Sequence, residues 1–267
     1  MYHIVFAVAA VTIIGAVCAF MLVVASKVMA VKTDEREQVI LDILPGLNCG
    51  VCGFAGCAGY ASALLSGAKT NLCIPGGVAV SGKISATLGV DYMDVNLMIT
   101  VVHCSGECTA RHDKMEYAGI KTCAAAKQLF GGQSACVYGC IGYGDCVSAC
   151  PNGAVRIING IALINASVCT GCGLCIKVCP NGVITAEIDT IRILVGCSNL
   201  EKGAKVRKVC ERGCIACNRC GRECPAGAIT IMDNLPVIDY GICEGCEHCT
   251  EICPVDCIQR ISTLVGN

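Results

Sequence analysis

The feature that most constrains this chain is a run of four cysteines that recurs along it. One regular copy comprises Cys169, Cys172, Cys175 and Cys179, spaced C-x2-C-x2-C-x3-C and followed by Pro180. Gaps of two residues let three thiolates of one loop reach three different irons of one cubane, while the fourth cysteine points away towards a partner cluster. The proline then ends the loop and fixes the direction in which the chain leaves it.

Three further runs of this kind follow the same plan, two of them regular and one with wider spacing. They are Cys214, Cys217, Cys220 and Cys224; Cys243, Cys246, Cys249 and Cys253; and, in the wider form, Cys136, Cys140, Cys146 and Cys150. Such runs are typical of bacterial-type ferredoxins and predict [4Fe–4S] clusters.

The cysteine content supports metal rather than disulfide bonds. There are 27 cysteines in 267 residues, so metal or disulfides must replace part of an ordinary core. Tight, repeated spacing favours metal, because neighbouring thiols of one short run are poor partners for bridges to one another. Structural zinc is the other alternative, although it prefers two C-x2-C pairs separated by a spacer. A net charge of −1 and the absence of tryptophan give no sign of nucleic-acid binding.

The wider run and the first regular run form one half of an internal duplication. The segment that begins at Cys150 aligns without gaps with the segment that begins at Cys224. Nineteen positions separate Cys150 from Cys169, and nineteen separate Cys224 from Cys243. Each linker has two apolar stretches around a short polar turn, which predicts a β-hairpin. The predicted turns are Asn159-Gly160 and Asp233-Asn234.

Two eight-cysteine modules of two clusters each are therefore expected in tandem, with the fourth cysteine of each run crossing to the other cluster. In module one the predicted ligand sets are Cys136, Cys140, Cys146 with Cys179, and Cys169, Cys172, Cys175 with Cys150. In module two they are Cys214, Cys217, Cys220 with Cys253, and Cys243, Cys246, Cys249 with Cys224. Three extra residues at Gly142-Tyr143-Gly144 enlarge the first loop, so the ligands of its cluster stay open.

A separate cysteine site precedes the modules. It comprises Cys49, Cys52, Cys57 and Cys73, spaced C-x2-C-x4-C-x15-C with glycines between the first three. Glycines permit tight turns and let backbone N–H groups approach the sulfurs. Four thiolates in this pattern predict one more [4Fe–4S] cluster. Zinc remains an alternative on ligand count alone.

The chain begins with an uncharged apolar run at residues 4–25. As a helix it is about 30 Å long, enough to cross the hydrocarbon core of a bilayer. A signal peptide is the rival interpretation, but no basic residue precedes the run. Because Lys27 and Lys32 follow it, the positive-inside rule predicts a single-pass protein of the cell (inner or cytoplasmic) membrane with its bulk on the cytoplasmic side. Residues 33–44 then predict an amphipathic helix capped by Thr33 or Asp34, with Val39 and Ile40 on its apolar face.

Two other stretches are compatible with more than one role. Cys104, Cys108 and Cys123, near His103 and His112, suit either a further metal site or a cysteine-rich packing region. The densest basic stretch, which comprises Lys202, Lys205, Arg207, Lys208 and Arg212, suits either a docking surface for an acidic electron-transfer protein or a solvated face. The cysteines left unassigned are Cys18, Cys197, Cys210 and Cys257.

The expected fold class is small α+β: one transmembrane helix, a small helical [4Fe–4S] domain and tandem bacterial-type ferredoxin modules. The expected domains are an anchor (1–30), an N-terminal single-cluster domain (31–100), a cysteine-containing connecting region (101–135), module one (136–195), a basic linker (196–213) and module two (214–267). Five [4Fe–4S] clusters are predicted, and a sixth is left open.

The order of these parts resembles the iron–sulfur B subunit of the Rnf complex, in the long, multi-cluster form of that protein. The resemblance rests on C-G-x-C-G-x-x-G-C from Cys49 to Cys57, a later C-x-P-G-G that begins at Cys73, and the ferredoxin runs after a membrane span. It implies a subunit of a membrane-bound, ion-translocating ferredoxin:NAD⁺ oxidoreductase, with electrons passing from reduced ferredoxin through the modules to the N-terminal site.

The resemblance also implies partners: a peripheral subunit that binds flavin and NAD, and integral membrane subunits that move the ion. The chain has no G-x-G-x-x-G after a strand and no P-loop, so it carries no complete active site of its own. Two alternatives remain: a polyferredoxin subunit of another membrane oxidoreductase, such as a hydrogenase or a carbon monoxide dehydrogenase, and a non-redox scaffold held together by metal.

Overall fold

The computed structural model describes residues 2–28 and 34–261. Helix α1 (Tyr2–Val28) contains a stretch, Val8–Lys27, that is long and apolar enough to cross a membrane, with a mean hydropathy of 2.7 and none of its surface buried by the rest of the chain. A fully exposed apolar helix needs an apolar environment, which a bilayer provides. Lys32 and Thr33, which entered the predictions of sidedness and capping, lie outside the described residues.

A small helical domain follows. Its helices are α2 (Glu35–Ile43), α3 (Gly56–Leu65) and α4 (Gly77–Leu88). Asp34 caps α2 as predicted, because its side chain accepts a hydrogen bond from the backbone N–H of Arg36 at 3.0 Å. Ile40, Tyr60 and Ile84, one from each helix, are almost completely buried and form the core of the domain. Val39 is half exposed, so the apolar face of α2 is narrower than predicted.

Module one contains two small antiparallel sheets and three short helices. The strands are β1 (Met98–Val102), β2 (Val155–Ile158), β3 (Ile161–Ile164) and β4 (Ile184–Ile188), and the helices are α5 (Cys123–Gln128), α6 (Asp145–Ser148) and α7 (Leu174–Val178). β1 pairs with β4 and β2 pairs with β3. The expected domain boundary at residue 100 therefore falls within β1, a strand that belongs with module one.

Module two repeats this arrangement. Its strands are β5 (Ile193–Val195), β6 (Ile229–Met232), β7 (Leu235–Ile238) and β8 (Ile258–Arg260), and its helices are α8 (Gly203–Val209), α9 (Arg219–Arg222) and α10 (His248–Glu251). β5 pairs with β8 and β6 with β7, as their counterparts do in module one. β5 was expected within module one, but its pairing places it in module two.

The two inner hairpins confirm the prediction from sequence. Ile158 faces Ile161 across the first turn, and Met232 faces Leu235 across the second. All four turn residues have positive φ: Asn159 50°, Gly160 75°, Asp233 48° and Asn234 65°. Two consecutive residues with positive φ give the twist that a two-residue hairpin requires, and asparagine, aspartate and glycine tolerate that conformation best.

The segments that follow β1 and β5 pack against each other between the modules. The backbone N–H of Ser105 donates to the Gly196 carbonyl at 2.8 Å, and that of Glu211 donates to the Ala110 carbonyl at 2.8 Å. The connecting region and the basic linker, which the sequence treats as separate, thus form one layer that joins the two modules.

Candidate metal centres

The N-terminal cysteines lie together. Cys73 has Cys49, Cys52 and Cys57 as neighbours, and burial and these neighbours raise the pKa of its thiol. The loop that carries the first three is fixed by Asn48, whose side-chain oxygen accepts the backbone N–H of Cys57 at 2.8 Å. The fold thus brings all four predicted residues of this site to one place.

Tyr60 holds the segment that leads to Cys73. Its hydroxyl donates to the Lys69 carbonyl at 2.7 Å and accepts the backbone N–H of Leu72 at 3.3 Å. Its ring stacks on Phe54 with 5.4 Å between centroids. Desolvation by burial raises the pKa of Tyr60 to about 12, so the hydroxyl stays protonated and can donate.

In module one, the predicted set of Cys150, Cys169, Cys172 and Cys175 surrounds one cavity of about 290 Å³. Thr100, on β1, lies among them, with its hydroxyl 3.2 Å from Cys169 Sγ and 3.7 Å from Cys175 Sγ. Pairing of β1 with β4 thus brings a polar group from outside the cysteine runs to the sulfurs, which the sequence did not indicate.

The other set in module one differs from the prediction. A cavity of about 350 Å³ is lined by Cys140, Cys146 and Cys179, as expected, but also by Cys123. Burial, followed by Cys123 and Cys179 among its neighbours, raises the pKa of Cys146 to about 12. Cys136, which was predicted here, does not line this cavity. Cys123 stands where Cys136 was expected.

The loop between Cys140 and Cys146 lacks a cysteine of its own, which explains the difference. Gly142 has a φ of +90°, and its Cα lies so close to the Gly160 carbonyl that a side chain would collide with it. The loop therefore lies against the hairpin turn, and it is as long as its counterpart between Cys214 and Cys220, in which Cys217 supplies a further thiol. The space near Cys146 is taken by Cys123, held by Asp145, which accepts the N–H groups of Cys123 and Ala124 at 2.9 and 3.0 Å.

In module two the structure places the predicted residues close to one another. Cys220 has Cys214, Cys217 and Cys253 as neighbours, and burial first and these thiols second raise its pKa to about 11. Cys249 has Cys243 and Cys246 as neighbours, along with Cys220 of the other set. The fourth predicted member of the second set, Cys224, belongs to the same core cluster and accepts the backbone N–H of Ala228 at 3.4 Å.

The remaining cysteines comprise two that are exposed, four that line one cavity, and Cys257. Cys18 and Cys108 are exposed. Cys104, Cys136, Cys197 and Cys210 line a third cavity of about 400 Å³ between the modules. Cys257 is 1 % exposed and packs with Cys197 and Cys214 in the core of module two.

The two histidines near Cys104 are not positioned to bind a metal with the cysteines. Both ring nitrogens of His103 have protein partners: Nδ1 lies 2.8 Å from the Val195 carbonyl and Nε2 lies 2.8 Å from the Thr185 hydroxyl. His112 is exposed on the surface of the connecting region. Any additional site here is therefore built from cysteine.

One signal in the sequence could have found the residues that were missed. Seventy-four positions separate Cys150 from Cys224, and extending that alignment backwards pairs Cys146 with Cys220, Cys140 with Cys214, and Cys136 with Cys210. Cys136 therefore corresponds to a cysteine outside the regular run of module two. In the same alignment no cysteine of module one lies opposite Cys217. In the structure Cys123, from outside the run, takes that place.

The thiol groups suit cubane clusters. Among the residues at 2–28 and 34–261, no three cysteine, histidine or acidic side chains converge closely enough to hold a single metal ion. In module one and in the layer between the modules the sulfurs instead surround cavities, as expected where each thiolate binds a different iron of one cluster. Several also accept backbone N–H groups, including Cys150 from Ala154 at 3.3 Å and Cys253 from Cys257 at 3.2 Å. Such hydrogen bonds tune iron–sulfur centres.

Two family models match the chain. One, described as "Putative Fe-S cluster", matches residues 44–75, which include all four cysteines of the N-terminal site. The other, described as "4Fe-4S binding domain", matches residues 162–185, which include the most regular run of module one.

Curated relatives match nearly the whole chain. The chain is 40 % identical over 251 residues to the B subunit of the ion-translocating oxidoreductase complex of Methanosarcina acetivorans, with 92 % of this chain and 94 % of the relative covered. It is 38 % identical to the B subunit of the proton-translocating ferredoxin:NAD(+) oxidoreductase complex of Clostridium ljungdahlii, over 94 % of this chain and 90 % of the relative. It is 34 % identical to the Na(+)-translocating counterpart of Acetobacterium woodii, over 92 % and 75 %.

Proposed function

Because this chain belongs to the family of B subunits of the ion-translocating Rnf oxidoreductase complexes, we propose that it is their membrane-anchored electron-transfer subunit. In this role it takes electrons from reduced ferredoxin and passes them towards a flavin- and NAD-binding subunit and the integral membrane subunits. It contributes to a ferredoxin:NAD⁺ oxidoreductase without a complete active site of its own. The relatives do not favour a hydrogenase polyferredoxin, since each is named as the B subunit of an ion-translocating complex.

The observation that carries this proposal is that each thiol site is joined to the next by contacts between the residues that carry them. The N-terminal site meets module one through Lys177, whose ammonium group donates to the Cys49 carbonyl. Val51 approaches Gly173 beside the same contact, since a methyl group on Gly173 would lie 3.5 Å from its side chain. Lys177 follows Cys175 by two residues, so the N-terminal site and the nearer site of module one lie on either side of this junction.

The series continues through both modules. Cys146 has Cys175 as a neighbour, which joins the two sites of module one. The backbone N–H of Cys140 donates to Cys104 Sγ at 3.3 Å, which leads into the layer between the modules. The backbone N–H of Cys214 donates to Cys197 Sγ at 3.4 Å, and this contact joins the layer to module two.

A bound [4Fe–4S] cluster accepts and releases single electrons, and its potential depends on hydrogen bonds to its sulfurs and on exposure. The chain's own residues would hold the clusters in order and exclude water. Most of the thiols are buried or half-buried, but Cys217 and Cys246 in module two are exposed. We therefore infer that electrons from ferredoxin enter at module two and leave at the N-terminal site.

The proposed membrane anchor is consistent with electrons leaving at the N-terminal site. Helix α1 precedes the N-terminal site by only a short segment, so a membrane-spanning α1 keeps Cys49, Cys52, Cys57 and Cys73 near the bilayer. The bulk of the chain would lie on the cytoplasmic side, where soluble ferredoxin is found.

Replacing Cys57 with alanine tests the proposal. In the assembled complex, Cys57→Ala is expected to lower the iron content by about four per chain, the content of one cubane. It should also stop ferredoxin-dependent reduction of NAD⁺ while the chain still inserts in the membrane. Cys18→Ala, a cysteine exposed on α1, is the matched control and should change neither quantity.

Unchanged electron flow in Cys57→Ala would remove the N-terminal site from the path. Co-purification of the chain with hydrogenase subunits, and not with flavin-carrying membrane subunits, would contradict the proposed complex. Bound iron that dithionite cannot reduce would instead support a scaffold held together by metal.

A further inference from the structure

We propose that Cys104, Cys136, Cys197 and Cys210 bind a sixth [4Fe–4S] cluster, placed between the two ferredoxin modules. The inference rests on the proposed electron-transfer function and adds a site that the regular runs do not indicate. It also gives Cys123, and not Cys136, to the cluster of Cys140, Cys146 and Cys179.

The four thiols are mutual neighbours. Cys210 has Cys104, Cys136 and Cys197 beside it, and Cys104 has Cys136 and Cys197 beside it. Their cavity of about 400 Å³ is as large as the two cavities found around the thiols of module one, at about 350 and 290 Å³. Cys140 also borders it, but lines the neighbouring cavity with Cys146.

The duplication supports the same four residues. Cys104 stands two residues after the end of β1 and Cys197 two residues after the end of β5, each within a V-x-C-S sequence. Cys136 precedes Cys140 by four residues, as Cys210 precedes Cys214. Each module therefore contributes one cysteine after its first strand and one just before its first run. The proposed site has the pseudo-symmetry of the chain itself.

The surroundings of these sulfurs resemble those of the other thiol sites. Cys104 Sγ accepts the backbone N–H of Cys140 at 3.3 Å, and Cys197 Sγ accepts that of Asn199 at 3.4 Å. Asn199 is only 2 % exposed, and its side-chain amide lies 3.6 Å from Cys136 Sγ. A buried polar side chain that faces a sulfur is suited to a thiolate, because charged acceptors strengthen hydrogen bonds.

The cavity wall also leaves room and supplies positive charge. A methyl group on Gly106 would lie 3.1 Å from Cys210 Sγ, so glycine keeps the backbone close to the sulfur without filling the cavity. Arg111 and Arg212 line the cavity, and Nε of Arg111 is buried with no hydrogen-bond partner. Two guanidinium groups balance the negative charge of a thiolate-bound cubane.

Cys257 separates the proposed site from module two without joining either ligand set. It is 1 % exposed and lies in the same core cluster as Cys214, against which Cys197 also packs.

The test counts iron and acid-labile sulfide in the full-length chain purified without oxygen, with EPR after stepwise reduction. The wild-type chain should hold about 24 irons, four for each of six cubanes. Cys136→Ala and Cys210→Ala should each hold about 20, and the double variant should also hold about 20, because both residues serve one cluster. Combining Cys136→Ala with Cys123→Ala should instead leave about 16.

The control is Cys108→Ala, an exposed cysteine in the same layer, which should keep the wild-type iron content. Cys210→Ser is the conservative variant: with an oxygen ligand it should retain iron and shift the EPR signal of one cluster only. If the alanine variants do not accumulate, this variant tests whether Cys210 binds a cluster.

About 20 irons in the wild-type chain, with Cys210→Ala unchanged, would overturn the sixth cluster and leave the proposed function standing. Loss of a second cluster in the Cys136→Ala, Cys210→Ala double variant would also overturn it, since the two residues would then serve different clusters. A wild-type chain without reducible iron would overturn the proposed function itself.

Discussion

Removing one hydroxyl group should make the N-terminal site release its iron faster. In Tyr60→Phe the ring can keep its place against Phe54, but the Lys69 carbonyl and the Leu72 N–H lose their partner. Tyr60 is 1 % exposed, so water cannot readily replace the hydroxyl. The segment between the two backbone groups leads directly to Cys73, and its opening would detach one of the four thiolates from the others.

The magnitude follows from the two lost hydrogen bonds. A buried polar group left without a partner costs about 1–3 kcal/mol, and the bond at 3.3 Å is the weaker of the pair. Taking a combined cost of about 2 kcal/mol, local opening becomes about 30-fold more frequent, since 1.4 kcal/mol corresponds to a factor of ten. Release through that opening should accelerate by the same factor.

The assay follows transfer of iron from the anaerobic full-length chain to a strong chelator. Tyr60→Phe should show a phase of about four irons per chain that is about 30-fold faster than in the wild type, with the slower phases unchanged. Tyr92→Phe is the matched control, because Tyr92 belongs to the same domain but is half exposed. A wild-type rate in Tyr60→Phe, or equal acceleration by both variants, would refute the view that this hydroxyl holds the Cys73 segment.

Three further changes probe other parts of the chain. Charge reversal at Lys205, Arg207 and Lys208 on α8 should slow oxidation of reduced ferredoxin more at low than at high salt; equal slowing at both would mark these residues as ordinary surface. Leu194→Ala, at a fully buried position, should lower the free energy of unfolding by about 2–5 kcal/mol, measured by chemical denaturation, and a change below about 1 kcal/mol would contradict the packing described. Gly142→Ala should lower the yield of iron-loaded chain, because its side chain would collide with the hairpin turn; a wild-type yield would show that the loop can move aside.

Local chemistry explains why much of the architecture could be predicted. The hairpins follow from apolar pairs around Asn159-Gly160 and Asp233-Asn234, whose backbone preferences act over two residues. The long apolar helix α1, a candidate membrane span, follows from the length and apolarity of one uninterrupted segment. The grouping of Cys169, Cys172 and Cys175 follows from spacing alone, because a short loop can place three thiolates only on one cluster.

What the sequence by itself determined, therefore, was what lies close along the chain: the cysteine runs, the turns, the long apolar helix and the duplication. Only the tertiary structure decided which distant cysteines meet. Cys123 approaches Cys146 because Asp145 holds the start of α5. Cys104 and Cys197 meet because the segments after β1 and β5 pack together between the modules. Such contacts depend on how whole elements pack, which spacing within a run does not specify.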